Sequence, residues 1–160
     1  MRRWFWWFLL APQGFLLAGV WRDAGLPPID MAVLACLFLA LVADRRALPW
    51  LLLGVALGRA MVDEASLPVQ ILVLGVPVAL LLPLRGLAFR QPWLLQAFGA
   101  VLAAIAVPKL TGLCGQWFQQ PSSSAHLDGL TIVWAVLLLP PLLWLVQRLP
   151  PCRAFVEVAP

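Results

Sequence analysis

Charged side chains are scarce in this chain of 160 residues. Only 11% are Asp, Glu, Lys or Arg, whereas 63% are hydrophobic, and the mean hydropathy is +0.95. A soluble domain carries about 25% charged residues. Because so few charges are available to keep a globule in solution, a soluble domain of any size is excluded. The composition instead fits five or six membrane-spanning helices of about 20 residues each.

Histidine and cysteine, which commonly bind metals, are also rare: the chain has one His and three Cys. The single histidine, His126, lies two residues before Asp128, and the pair makes at best half a metal site. Asp128 is also well placed to cap the helix that follows. Cys36 falls in an apolar run, and Cys114 and Cys152 fall in predicted loops, without CxxC or Cys/His spacing. We predict no catalytic residue, no metal, no cofactor and no disulfide, and the scattered basic residues do not indicate nucleic acid binding.

Six apolar stretches account for most of the chain, and we predict an all-α, polytopic transmembrane bundle. The spans cover about residues 4–21, 28–43, 47–62, 67–84, 93–108 and 129–146 of a single integral membrane domain, residues 1–160. Assigning Lys and Arg to alternate sides gives eight on one side and three on the other. The eight are Arg2, Arg3, Arg45, Arg46, Arg85, Arg90, Arg148 and Arg153, and the three are Arg22, Arg59 and Lys109. Because cytoplasmic loops carry the basic excess, we expect six spans with both termini in the cytoplasm.

Tryptophan and proline mark where these spans end. There are nine Trp and no Tyr, and six of the Trp fall at predicted span ends: Trp4, Trp6, Trp7, Trp21, Trp50 and Trp93. The Pro12-Gln13-Gly14 segment interrupts the first run without ending it. Four prolines inside apolar runs are expected to kink or break their helices: Pro12, Pro77, Pro140 and Pro141. The longest connection is predicted over residues 110–128, on the outer face.

The most informative segment is residues 51–66. Gly54 and Gly58 form a GxxxG pattern, which lets a neighbouring helix approach closely. Arg59 and Asp63 are four residues apart and therefore share a helix face, and Glu64 follows them. These five residues are the predicted partner-binding and helix-packing site. The alternative is that Asp63 and Glu64 merely end the helix while Arg59 extends to the membrane surface.

Asp30 stands at the predicted start of the second span, after Pro28-Ile29. An acidic residue in the first turn of a helix is favoured by the helix dipole. We interpret Asp30 as a structural polar residue that caps this helix.

Taken together, these segments resemble the MreD family of rod shape-determining proteins. The resemblance consists of Pro28-Ile29-Asp30, the basic turn Asp44-Arg45-Arg46, and the order Gly54, Gly58, Asp63 and Ser66. It covers about residues 26–110. The sequence departs from the family in three places: one residue separates Pro28 from Asp30, Asp63 follows Gly58 by five rather than four residues, and Leu67-Pro68 replaces the usual glycine.

This resemblance implies a non-enzymatic subunit of the bacterial cell-wall elongation machinery in the inner membrane. Such a subunit binds an MreC-like single-span partner and, through it, peptidoglycan synthases and an actin-like filament protein. The family's fold is also similar to the S components of energy-coupling-factor vitamin transporters. A small-molecule-binding transporter subunit is therefore the alternative function.

Overall fold

The computed structural model describes residues 2–23, 30–63, 65–85, 92–119 and 129–149, together with Cys152 and Phe155. The helices in these ranges are α1 (Arg2–Asp23), α2 (Met31–Leu37), α3 (Leu48–Ala60), α4 (Leu67–Leu81), α5 (Pro92–Trp117) and α6 (Gly129–Arg148). A π-helical turn (Phe38–Val42) continues α2, and a 3-10 turn (Leu82–Leu84) continues α4. The described part of the chain is therefore all-helical, as predicted.

Among the residues that the structure describes, three helices are long and apolar enough to cross a membrane. They contain the segments Trp4–Trp21, Leu67–Leu84 and Trp93–Trp117, with mean hydropathies of 1.2, 2.3 and 1.8. The segments Met31–Val42, Leu48–Ala60 and Ile132–Arg148 are apolar but shorter. A bilayer core of roughly 30 Å needs about 20 residues of helix, so the three long segments indicate a membrane protein.

The fifth helix is longer than predicted. The apolar run was expected to end at Pro108, yet α5 continues to Trp117 with Pro108 inside it. An internal proline forfeits one backbone hydrogen bond, and the packing of α5 against α4 and α6 outweighs that loss. Cys114 consequently lies in a helix, and the prediction that it falls in a loop is wrong. Helices also continue through the four prolines expected to kink or break them: Pro12, Pro77, Pro140 and Pro141.

The centre of the molecule is α2 with its π-helical turn. Nearly every residue from Ala32 to Ala43 is buried, and α4, α5 and α6 all contact this element. Twelve helical residues span only about 18 Å, so this short helix is enclosed by longer ones. By contrast, α1 lies at the periphery: 6% of the Trp4–Trp21 segment is buried, against 39% of the long segments in α4 and α5.

Contacts between distant residues define two ends of the molecule. At one, which we name the terminal end, the ring centroids of Trp4 and Phe155 are 4.7 Å apart. Arg85 there donates to the Ala43 carbonyl oxygen. At the other, the polar end, Arg59 at the end of α3 contacts Thr111 of α5. Because α3 and α5 end at the polar end and α4 ends at the terminal end, α4 runs opposite to both.

Candidate functional site

Four polar side chains from three helices meet at the polar end, and we name them the polar cluster. Asp63, just after α3, receives two partners on one carboxylate oxygen, Oδ2. Arg59 Nη2 lies 3.7 Å away as an ion pair, and Gln70 Nε2 of α4 donates a hydrogen bond of 3.1 Å. Arg59 Nη2 also donates to Thr111 Oγ1 of α5 at 3.3 Å. The hydroxyl of Thr111 in turn donates to the Val107 carbonyl oxygen at 2.8 Å.

The backbone between α3 and α4 places Asp63 over Gln70. The Arg59 carbonyl oxygen accepts from the amides of Val62 and Asp63, at 3.0 and 2.8 Å, which closes the last turn of α3. Ser66 then adopts an extended conformation, with φ −63° and ψ 152°, and α4 begins at Leu67 with proline in its first turn. Proline is favoured there because it has no amide hydrogen to leave unsatisfied.

The cluster is largely sealed from its surroundings. Gln70 is 1% exposed and Thr111 4% exposed, and the side chains of Arg59 and Asp63 are 14% and 12% exposed. Arg59 Nη1 and Gln70 Oε1 are buried without a hydrogen-bond partner. Reversing the Gln70 amide would place its oxygen against the Asp63 carboxylate, so the assigned orientation is the favourable one. A buried donor and a buried acceptor thus stay unsatisfied beside a neutral ion pair, which is costly in an apolar setting.

Gly54 and Gly58 pack against the chain's own first helix. A Cβ atom on Gly54 would lie 2.7 Å from Trp7 Nε1, and one on Gly58 would lie 2.9 Å from the Pro12 backbone nitrogen. The indole of Trp7 donates to the Leu51 carbonyl oxygen of α3 at 3.2 Å. The close helix packing predicted for this GxxxG pattern is present. The expectation that its glycines face a partner is corrected, because α1 covers them.

Asp30, a further predicted polar residue, hydrogen-bonds within its own helix start rather than to the polar cluster. Asp30 caps α2: its Oδ1 accepts from the amides of Ala32 at 2.9 Å and Val33 at 3.4 Å, which confirms the predicted cap. Glu64 lies outside the described residues, as do His126 and Asp128.

Arg85 forms a second buried polar contact, at the terminal end. Arg85 is 2% exposed, and its guanidinium donates to the carbonyl oxygens of Ala43 at 2.7 Å and Val42 at 3.2 Å. These carbonyls end the π-helical turn, where no further turn of helix supplies amide donors. Arg85 therefore joins the end of the π-helical turn that continues α2 to the end of α4. From the sequence, this residue was only one of the basic residues expected on the cytoplasmic side.

Sequence reasoning missed Gln70 and Thr111. Gln70 is an uncharged polar residue set in an apolar run, and this isolation was the available signal. Thr111 falls in the segment that was predicted to be a connection, so no such signal was available for it. The charged pair Arg59 and Asp63 was found because four-residue spacing places two side chains on one face of a helix. No local pattern relates residue 59 to residue 111, since only tertiary packing brings α3 and α5 together.

Two surface hollows of about 260 Å³ each lie away from the polar cluster. One is lined by Trp4, Phe8 and Trp50, and the other by Arg45, Leu48, Leu82 and Pro83. Both open to the surface, and Trp4 and Arg45 belong to segments that meet at the terminal end. The polar cluster lines neither of these two hollows.

The fold and this cluster define a class, that of helical membrane proteins whose few polar side chains join their own helices. Comparisons of the chain with protein-family models, with curated proteins and with solved structures found no match. The assignment beyond this class therefore depends on the residues themselves.

Proposed function

We propose that this protein is a non-enzymatic scaffold subunit of the bacterial cell-wall elongation machinery. It resides in the inner membrane with six spans and both termini in the cytoplasm. It binds an MreC-like single-span protein and, through it, peptidoglycan synthases and an actin-like filament protein. The resemblance of residues 26–110 to the MreD family motivates the proposal, and the surface of the polar end supports it.

The observation that carries the proposal is a group of large apolar side chains around the polar cluster. Met61 and Val62, at the end of α3, are 72% and 49% exposed, and Trp117 and Phe118, at the end of α5, are 77% and 52% exposed. The charge count assigns this end to the outer face, because Arg59 and Lys109 belong to the minority set of basic residues. Exposed aromatic and methionine side chains are enriched at protein interfaces. This surface fits the part of a single-span partner that leaves the outer leaflet.

The polar cluster supports a scaffold in another way. Arg59, Asp63, Gln70 and Thr111 connect α3, α4 and α5 just beneath this surface. Polar side chains hydrogen-bond across helices within membrane bundles. A partner docking on Met61 and Trp117 would therefore meet three helices that are fixed to one another. The proposed partner surface thus lies over Arg59 and Asp63, while Gly54 and Gly58 pack against α1.

Site-specific photo-crosslinking tests the proposal. The protein is co-expressed with an MreC-like single-span protein, and a photoreactive amino acid replaces Met61 or Trp117 at the polar end. The matched control is Trp50, which is 59% exposed on α3 near its start. We expect co-purification of the two proteins and crosslinks from Met61 and Trp117 but not from Trp50. Absence of co-purification would overturn the proposal, as would capture of an energising ATPase subunit instead. Crosslinks from Trp50 alone would refute the polar end as the docking surface.

A further inference from the structure

An exposed glutamine occupies the middle of the outermost helix. Gln13 is the central polar residue of the apolar segment Trp4–Trp21, and its side chain is exposed. The side chain of Gln13 makes no hydrogen bond to another residue in the part of the chain that the structure describes. A side-chain amide at mid-depth that faces lipid forgoes the hydrogen bonds that water would give it. Polar residues inside membrane spans are accordingly used as contacts between helices.

Gln13 lies in a continuous seam along α1. The seam consists of Trp6, Leu9, Gln13, Leu16 and Val20, spaced by three, four, three and four residues. This is the heptad spacing of residues that face a partner helix in a coiled coil. The four apolar members are exposed by 43%, 42%, 58% and 66% along the seam. The seam is therefore open over its whole length.

The opposite face of α1 is already occupied. Trp7, Phe8, Ala11 and Pro12 approach Gly54 and Gly58 of α3. At about 100° per residue, the mean direction of these four contact positions lies about 150° around the helix axis from the mean direction of the seam. Packing on α3 therefore leaves the seam unobstructed, and a second helix can dock on α1 without displacing the first.

We propose that the α1 seam is a homodimer interface, in which Gln13 pairs with Gln13 of a second copy. Two copies inserted in one membrane with the same orientation are related by a two-fold axis along the membrane normal. A residue on such an axis meets itself at the same depth. A carboxamide carries both donor and acceptor, so two of them form a reciprocal pair of hydrogen bonds, whereas a buried charged residue would meet a like charge. The second copy thus supplies the complementary group.

A polar residue at one seam position also fixes how the two helices align. A single polar residue in an otherwise apolar seam specifies register and oligomeric state in coiled coils. Leu9 and Leu16 flank Gln13 on either side and would exclude lipid from the amide pair. This inference needs only that α1 spans the membrane. It does not depend on the scaffold function, and the proposed partner surface at the polar end is left free by it.

Sedimentation equilibrium in a density-matched detergent tests the dimer. The variants are Gln13→Leu, which removes the amide at similar volume, and Gln13→Asn, which keeps a carboxamide. The control is Gln116→Leu at the end of α5, where the glutamine is also exposed. We expect a wild-type dimer whose dissociation constant rises about three- to tenfold in Gln13→Leu, as expected for interhelical hydrogen bonds in membranes. Gln13→Asn should retain at least part of the affinity, and Gln116→Leu should match wild type.

Disulfide crosslinking in vesicles of phosphatidylethanolamine and phosphatidylglycerol locates the interface with Gln13 intact. Leu16→Cys should form crosslinked dimers on oxidation, whereas Leu94→Cys, on the exposed face of α5, should not; these leucines are 58% and 68% exposed. A monomer at all concentrations would overturn the proposal, as would an unchanged dissociation constant in Gln13→Leu. So would a protein that is monomeric alone but binds a different membrane protein through Gln13. These results are independent of co-purification with a single-span partner.

Discussion

At the scale of single residues, Gly58 of α3 faces the backbone of α1 at Ala11 and Pro12. We expect Gly58→Ala to destabilise the protein by about 1–3 kcal/mol, because the new Cβ would lie 2.9 Å from the Pro12 backbone nitrogen. Gly112→Ala on α5 is the control, since nothing lies within 4 Å of its Cβ position. This control should gain up to about 1 kcal/mol from helix propensity. Thermal unfolding in detergent measures both, and equal midpoints would contradict the packing described for Gly58.

The ion pair of the polar cluster gives a second residue-scale prediction. Arg59→Met and Asp63→Leu should each destabilise the protein, because each leaves one charge of a largely buried pair without its partner. The double variant leaves neither charge behind. We therefore expect it to be less destabilised than the sum of the single variants, by about 1–3 kcal/mol. A double-mutant cycle from denaturant unfolding measures this coupling energy, and a value near zero would show that the two side chains act independently.

Cys152 provides a prediction that depends on pH. Burial raises the pKa of its thiol from 9.0 to about 11, and only the thiolate reacts readily with alkylating reagents. Iodoacetamide at pH 8 should therefore label Cys152 much more slowly than free glutathione, as followed by peptide mass spectrometry. Because the pKa of this thiol is higher in the folded than in the unfolded protein, its contribution to the free energy of unfolding is fully present below the unfolded-state pKa. That contribution is lost as the pH rises towards the folded-state pKa of about 11. Rapid labelling at pH 8 in the folded protein would contradict the buried position.

At the scale of helices, Arg85 fixes the ends of α2 and α4 to each other. We expect Arg85→Met to lower the free energy of unfolding by about 2–4 kcal/mol. Hydrogen bonds from a charged donor contribute about 1.5–3 kcal/mol each, and the carbonyls of Ala43 and Val42 both lose this donor. The control is Arg45→Met, since Arg45 is exposed and surface substitutions change stability by less than about 0.5 kcal/mol. Hydrogen exchange should also rise in the π-helical turn of the Arg85 variant alone. Equal exchange in the two variants would refute this role.

Helix positions follow from hydropathy, whereas helix ends and contacts do not. The apolar runs placed α1, α3 and α4 within a few residues, because burial and lipid exposure both require apolar side chains at those positions. The predicted end of the fifth span was wrong because the backbone hydrogen bond lost at Pro108 costs less free energy than the packing of a long helix on two neighbours contributes. The π-helical turn has no sequence signal of its own, since its five residues are the apolar run FLALV.

The candidate site was predictable only in its local part. The spacing of Gly54 and Gly58 and of Arg59 and Asp63 is a local property of the sequence. Arg59 and Asp63 form the ion pair that their spacing allows, although α3 ends before Asp63, and both glycines pack closely against a neighbouring helix. The partners of these pairs, Gln70, Thr111 and the α1 backbone, depend on which helices become neighbours. A GxxxG pattern indicates that a neighbouring helix packs closely, but it does not identify that helix. Here the neighbour was the chain's own α1.

At the scale of the whole molecule, the contact between Trp4 and Phe155 predicts the topology. Their rings are 4.7 Å apart, and the Asp44 amide donates to the Phe155 carbonyl oxygen at 2.8 Å. Trp4 and Phe155 therefore lie at one end of the molecule, and an odd number of spans between them would separate them across the membrane. Arg45, Arg46 and Arg85 lie in or next to the segments that meet at this end, and a basic excess marks the cytoplasmic side.

Reporter fusions measure this topology directly. Green fluorescent protein, which fluoresces only when folded in the cytoplasm, should be bright at either terminus. Alkaline phosphatase, which is active only outside, should be inactive at both. Insertion of the phosphatase at residues 120–128, between α5 and α6, should give activity, because Thr111 places the end of α5 at the polar end. Phosphatase activity at the C-terminus would contradict six spans, since the ring contact would then have to form across the bilayer.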